Sequence, residues 1–129
     1  MTTRTDVKLS RVGYIMLTVR DMKRALAFYR DALGLPVRFA GDEFAFLDGG
    51  GTAIALRQSQ SLGPPPAEAR TEVVFEVEDI GAAYESLRAR GVEFRIAPRL
   101  ATGDRFAADF RDPDGNVLSI FGPQGGRQG

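Results

Sequence analysis

Tyr14-Ile15-Met16-Leu17-Thr18-Val19-Arg20-Asp21 is answered 58 residues later by Glu72-Val73-Val74-Phe75-Glu76-Val77-Glu78-Asp79. Both stretches are short apolar runs that end on an aspartate. After Asp21 the apolar residues recur at Met22, Ala25, Leu26, Tyr29, Ala32 and Leu33, the i, i+3, i+4 spacing of one buried helical face. Asp21 is placed to accept the first free backbone N–H groups of that helix, and Gly34 to end it in a left-handed cap. The same order returns after Asp79, with Ile80, Ala83, Tyr84 and Leu87 inward and Gly91 as the stop. The following segments also match, Gly34-Leu35-Pro36-Val37-Arg38-Phe39 against Gly91-Val92-Glu93-Phe94-Arg95-Ile96. Strands are predicted at 12–19, 37–40, 43–47 and 52–57, then at 72–77, 92–97, 106–110 and 116–121. The last two are joined by Asp112-Pro113-Asp114-Gly115, a hairpin turn in which Gly115 supplies the positive φ. The chain therefore reads as an internal duplication of a βαβββ unit, each copy too small to bury a core alone.

Five segments follow from this reading. Residues 1–10 are an N-terminal extension, 11–57 the first unit, 71–122 the second, and 123–129 a flexible tail. Between the units, 58–70 carries three consecutive prolines and no periodicity, which marks a linker. An apolar fraction of 43% with 26% charged residues is that of an ordinary globular protein. Seventeen basic residues balance seventeen acidic ones, so no net field draws nucleic acid or anionic lipid. There is no cysteine and no histidine, which excludes disulfides, thiolate chemistry and Ser-His-Asp or Cys-His machinery. Gly49-Gly50-Gly51 lacks a following lysine and helix, so it is not a phosphate loop. The first ten residues lack the apolar stretch of a secretory signal, and no apolar run approaches the roughly 20 residues of a membrane span. A cytoplasmic location is the resulting expectation.

Taken together, the segment 14–21, Ala27-Phe28-Tyr29-Arg30-Asp31-Ala32-Leu33-Gly34-Leu35, Val74-Phe75-Glu76-Val77-Glu78-Asp79 and Phe110-Arg111-Asp112-Pro113-Asp114-Gly115-Asn116 resemble the vicinal oxygen chelate superfamily. That superfamily includes glyoxalase I, extradiol dioxygenases, epimerases, fosfomycin-modifying enzymes and the metal-free bleomycin-binding resistance proteins. The resemblance spans about residues 11 to 122. It implies an α+β fold of two tandem βαβββ modules forming a curved mixed sheet, with an internal cup and the helices on the convex side. It also implies a homodimer, because family members commonly complete or swap their cups between chains.

In metal-using members four strand positions hold His, Gln or Glu. Carried onto this chain, those positions fall on Tyr14, Ala55, Glu72 and Ser119. Only Glu72 is a conventional ligand, so no metal and no other cofactor is expected. Strand alternation adds Met16 and Thr18 to Tyr14, Ala53 and Arg57 to Ala55, Val74 and Glu76 to Glu72, and Val117 and Phe121 to Ser119. The expected ligand-binding set is Tyr14, Met16, Arg57, Glu72, Ser119 and Phe121, lining a mixed cup for a small organic molecule. Three functions are weighed. The first is sequestration of an antibiotic or metabolite without metal, with Glu72 and Glu76 attracting a cationic ligand and Tyr14 stacking on it. The second is a metal-independent lyase or isomerase in which Glu72 or Glu76 is the catalytic base and Arg57 or Tyr14 stabilises an oxyanion. The third is a metal-dependent lyase or dioxygenase whose site borrows oxygens from Glu43 or Asp109. Each of these residues also has a purely structural reading: the glutamates as solvated rim groups beside Arg57 or Arg111, Tyr14 as a half-buried aromatic, and Phe28 and Tyr29 as core.

Overall fold

A computed structural model describes residues 9–125. The first unit is β1 (Tyr14–Val19), helix α1 (Met22–Leu26, continued by Ala27–Ala32), β2 (Val37–Ala40), β3 (Phe44–Asp48) and β4 (Ala53–Gln58). The second is β5 (Val73–Glu76), helix α2 (Ile80–Ala89), β6 (Phe94–Thr102), β7 (Arg105–Arg111) and β8 (Val117–Pro123). Each unit has its own four-stranded mixed sheet, ordered β1-β4-β3-β2 and β5-β8-β7-β6. β1 runs parallel to β4 and β5 parallel to β8, while the remaining neighbours are antiparallel. The repeated topology is that of two tandem βαβββ modules.

The caps form where the sequence places them. The Asp21 carboxylate accepts from Arg24 N at 3.2 Å and the Asp79 carboxylate from Ala82 N at 3.1 Å. Gly34, Gly91 and Gly115 all have positive φ. Helix α1 departs from the predicted single α-helix. It is α-helical over Met22–Leu26 and π-helical over Ala27–Ala32, where Leu33 N donates to Phe28 O at 2.9 Å. No proline or glycine interrupts 22–33, so nothing local announces the wider turn. Tertiary partners sit on this segment instead: Tyr29 is fully buried against the second unit, and the Ala32 carbonyl accepts from Arg90, the residue that caps the C-terminus of α2.

Two connections also differ from expectation. Residues 98–105, which fall between the predicted strands 92–97 and 106–110, are the continuation of β6, a tight turn and the first residue of β7. Pro98 cannot donate to a ladder, and the β6–β7 register shifts between Ile96 and Arg99 to accommodate it. That shift erases the alternation by which a strand is recognised. Gln58, read as the start of the linker, ends β4, and its Oε1 accepts from Met22 N at 2.7 Å. β8 reaches Pro123, one residue into the expected tail, whose last four residues lie outside the described part. Residues 1–8 of the expected extension also lie outside it.

One core serves both units. It runs from Leu17, Val19, Ala45, Leu47, Ile54 and Leu56 of the first to Val73, Phe110, Leu118 and Ile120 of the second. A relay of aromatic rings crosses it, Tyr84 on Phe94 at 4.7 Å, Phe94 on Phe110 at 5.1 Å and Phe110 on Phe28 at 6.3 Å. Phe28 and Tyr29 are thus core residues, as their helical spacing implies.

The 112–116 turn closes the junction. Asp112 Oδ1 accepts from the backbone of Asp114 and Asn116, and its Oδ2 accepts from Asn116 Nδ2 at 2.8 Å and from the Tyr29 hydroxyl at 2.6 Å. Asn116 Nδ2 also donates to the Thr18 carbonyl of β1 at 3.0 Å. Asp114, with a fully buried side chain, pairs with Arg24 of α1 at 2.8 Å.

Candidate functional site

Register assigns each strand residue to a face. In β1, Leu17 and Val19 are buried towards the core, while Tyr14 is 50% and Met16 37% exposed. Tyr14 lies beside Ala53, Met16 beside Ala55 and Thr18 beside Arg57. Across β3, Phe44 opposes Arg57 and Phe46 opposes Ala55, and β2 brings Phe39 opposite Phe46. The open face of the first sheet is therefore Tyr14, Met16, Phe39, Phe44, Phe46 and Arg57 above a floor of Ala53 and Ala55. The Tyr14 and Phe46 rings meet edge to face at 5.3 Å. Arg57 donates to Thr18 Oγ1 at 3.1 Å and, among the described residues, pairs with no carboxylate.

In the second sheet Val74 lies beside Ser119 and Glu76 beside Phe121, while β7 places Asp109 opposite Ser119 and Ala107 opposite Phe121. Ser119 is buried, and Val74 and Glu76 are exposed. Glu72 is exposed and immediately precedes β5. Among the described residues neither Glu72 nor Glu76 is joined to Arg57 or Arg111. The burial that a general base in a closed cup needs is absent from both carboxylates in the single chain.

The expected residues thus form two sets. Tyr14, Met16 and Arg57 share the first sheet; Glu76, Ser119 and Phe121 share the second, with Glu72 at its edge. No hydrogen bond, ion pair or ring contact among the described residues links the two sets. The aromatic wall of Phe39, Phe44 and Phe46 went unrecognised in the sequence. The signal was the alternation in 43–47, but only the β2–β3 and β3–β4 registers show that these rings border Ala55 and Arg57.

The four positions onto which the family resemblance would carry metal ligands, Tyr14, Ala55, Glu72 and Ser119, present a phenol, a methyl, a carboxylate and a hydroxyl. Ala55 is completely buried and its side chain offers no donor atom, and the buried Ser119 side chain offers only a neutral hydroxyl. This set does not fit a divalent ion. The supplementary oxygens do not complete it: Glu43 is exposed ahead of β3, and Asp109 faces Arg99 at 3.5 Å. Among the described residues no three carboxylates gather as a metal-binding group.

A surface groove of about 690 Å³ lies away from these faces, at the start of α1, bordered by Arg20, Asp21, Lys23, Arg24 and Asp42. Arg24 is committed to Asp114 at 2.8 Å, and Arg20 stands 3.6 Å from the same oxygen and donates to the Leu62 carbonyl. The groove's arginines therefore hold the turn and the linker. No helix is long and apolar enough to cross a membrane among the described residues.

With this geometry in view, the chain belongs to the Glyoxalase/Bleomycin resistance protein/Dioxygenase superfamily, which it matches over residues 11–120. It is 32% identical over 121 residues to the uncharacterized protein YraH of Bacillus subtilis, covering 83% of this chain and 94% of that one. It is 25% identical over 117 residues to the metallothiol transferase FosB of Staphylococcus epidermidis, covering 88% and 82%. Its fold matches a crystal structure of a glyoxalase/bleomycin resistance protein/dioxygenase from Nocardioides with a TM-score of 0.76 at 24% identity, covering 96% and 90%.

Proposed function

We propose that this protein binds a small organic ligand on the open faces of its sheets without a metal ion. The observation that carries the reading is the first sheet: an aromatic wall and Arg57, which pairs with no carboxylate among the described residues, border Ala55, where relatives would place a metal ligand. Apolar rings with a small number of polar groups suit an organic molecule that is stacked and then oriented. Two copies of the chain form a homodimer that completes the cup, which accounts for large apolar side chains such as Tyr14, Phe39 and Val74 being about half exposed in one chain. The FosB relatives are named metallothiol transferases, but the donor set here would give a divalent ion one carboxylate, and the resemblance to them lends the fold rather than a chemistry.

Titration calorimetry against a panel of aromatic and glycopeptide antibiotics, with and without chelator, tests the reading, and sedimentation gives the oligomer. The expected outcome is a ligand whose affinity is unchanged by chelator and falls at least about tenfold in Tyr14→Ala, at twice the chain mass. Binding or turnover that appears only with a stoichiometric divalent ion overturns it.

A further inference from the structure

On the opposite side of the second sheet from its open face, beneath α2, there is a cavity of about 270 Å³. Its walls are Phe75 and Val77 of the β5 region, Phe110 and Ile120 of the sheet, Ala83 and Leu87 of α2, and Leu33 and Leu35 from the end of α1. Phe75, Val77, Leu33, Leu35, Ala83 and Leu87 are all only partly buried although they pack against the core. Apolar side chains from α2, the sheet and the end of α1 thus line a hollow that opens to solvent.

The rim is polar on one side. Arg90 and Ser86 stand there, and the guanidinium donates to the Ala32 carbonyl at 3.0 Å and to Ser86 Oγ at 3.1 Å. Both acceptors are neutral, and among the described residues no carboxylate pairs with Arg90. These bonds use two of the five guanidinium N–H groups and fix its plane at the mouth of the cavity. A cation held in place by neutral acceptors, above an apolar hollow, is complementary to an amphipathic anion.

We propose that this cavity is a second binding site, separate from the open faces, for a small monocarboxylate with an aliphatic tail. The tail lies between Leu87, Phe75 and Leu35, and the carboxylate meets Arg90. The volume falls just under the roughly 300–1,000 Å³ of pockets for drug-sized ligands, which suits a medium-chain acid better than a long-chain one. The site does not depend on what the open faces bind.

Octanoate is the probe, titrated into the full chain and followed by methyl NMR. The expected result is saturable shifts at the methyls of Ala83, Leu87, Leu33 and Ile120, with those of Met16, Ala53 and Ala55 unmoved. Arg90→Gln is expected to weaken octanoate by about tenfold or more, while leaving octanol unaffected, and Arg90→Lys to recover part of the loss. Ala83→Phe, which fills the hollow from α2, is expected to abolish binding of both; the unliganded spectrum of each variant verifies its fold. No shift up to about 5 mM octanoate, shifts confined to the open-face methyls, or equal affinity in Arg90→Gln each overturn the proposal.

Discussion

Tyr29 is the largest fully buried side chain, and its hydroxyl is the one phenol committed to the junction between the units. Burial first, then the negative charge of Asp112, the hydrogen bond donated to it, and the charge of Asp114 hold this phenol protonated far above the ordinary value of 10.0. The sign of the consequence follows from linkage. Above pH 10 the unfolded chain releases the Tyr29 proton and the folded chain keeps it, so stability that is complete below pH 10 declines as pH rises. The decline is about 1.4 kcal/mol per pH unit for this group. Urea unfolding at pH 9 and pH 11 is expected to show a steeper loss in the native protein than in Tyr29→Phe. At neutral pH the same substitution removes a hydrogen bond to a buried carboxylate, leaving Asp112 Oδ2 with Asn116 alone, and is expected to cost about 1.5–3 kcal/mol. Equal pH slopes for the two proteins would show that Tyr29 is not the group responsible. Phe28 and Tyr29 were assigned to the core by helical spacing, but the hydroxyl's partner lies 83 residues away and has no local signature.

Strand β8 shows what a single side chain does to a whole element. Val77 N donates to the Phe121 carbonyl at 2.9 Å, which draws the end of β5 tightly along β8. A Cβ built on Gly122 would stand 2.1 Å from the Val77 carbonyl oxygen, and that neighbour is backbone. Gly122→Ala is therefore expected to destabilise the protein by about 1–3 kcal/mol, at the upper end because no side chain can rotate aside. Thermal unfolding followed by circular dichroism measures it, and an unchanged midpoint would mean that the two strands separate without cost. Helix α1 and strand β6 make the complementary point. Their capping and apolar residues were legible, but the π-helical turn over Ala27–Ala32 and the bulges around Pro98 arise where non-local partners override a local period.

The two units share one core, one aromatic relay and one buried carboxylate junction, so neither retains its interior without the other. Urea unfolding monitored at the methyls of Ile54 in the first unit and Ile120 in the second is expected to give coincident midpoints. Separated midpoints would mean that the junction of Tyr29, Arg24, Asp112 and Asp114 does not couple the units. The placement of chemistry is divided in the same way as the packing. A cation and an aromatic wall sit on one open face, carboxylates edge the other, and the hollow beneath α2 opens elsewhere.

The duplication, both helix caps, the 112–116 turn and the inward or outward direction of each β1 residue were determined by the sequence itself. Each depends on a dihedral preference or a period that spans only a few residues, and such preferences survive in any globular context. Only tertiary structure decided that Phe39, Phe44 and Phe46 border Arg57, that Tyr29 reaches Asp112, and that Arg90 stands at the rim of an apolar hollow. These depend on register and on packing between elements distant in the chain. They are set by the balance of many contacts made at once, to which no short stretch of sequence corresponds.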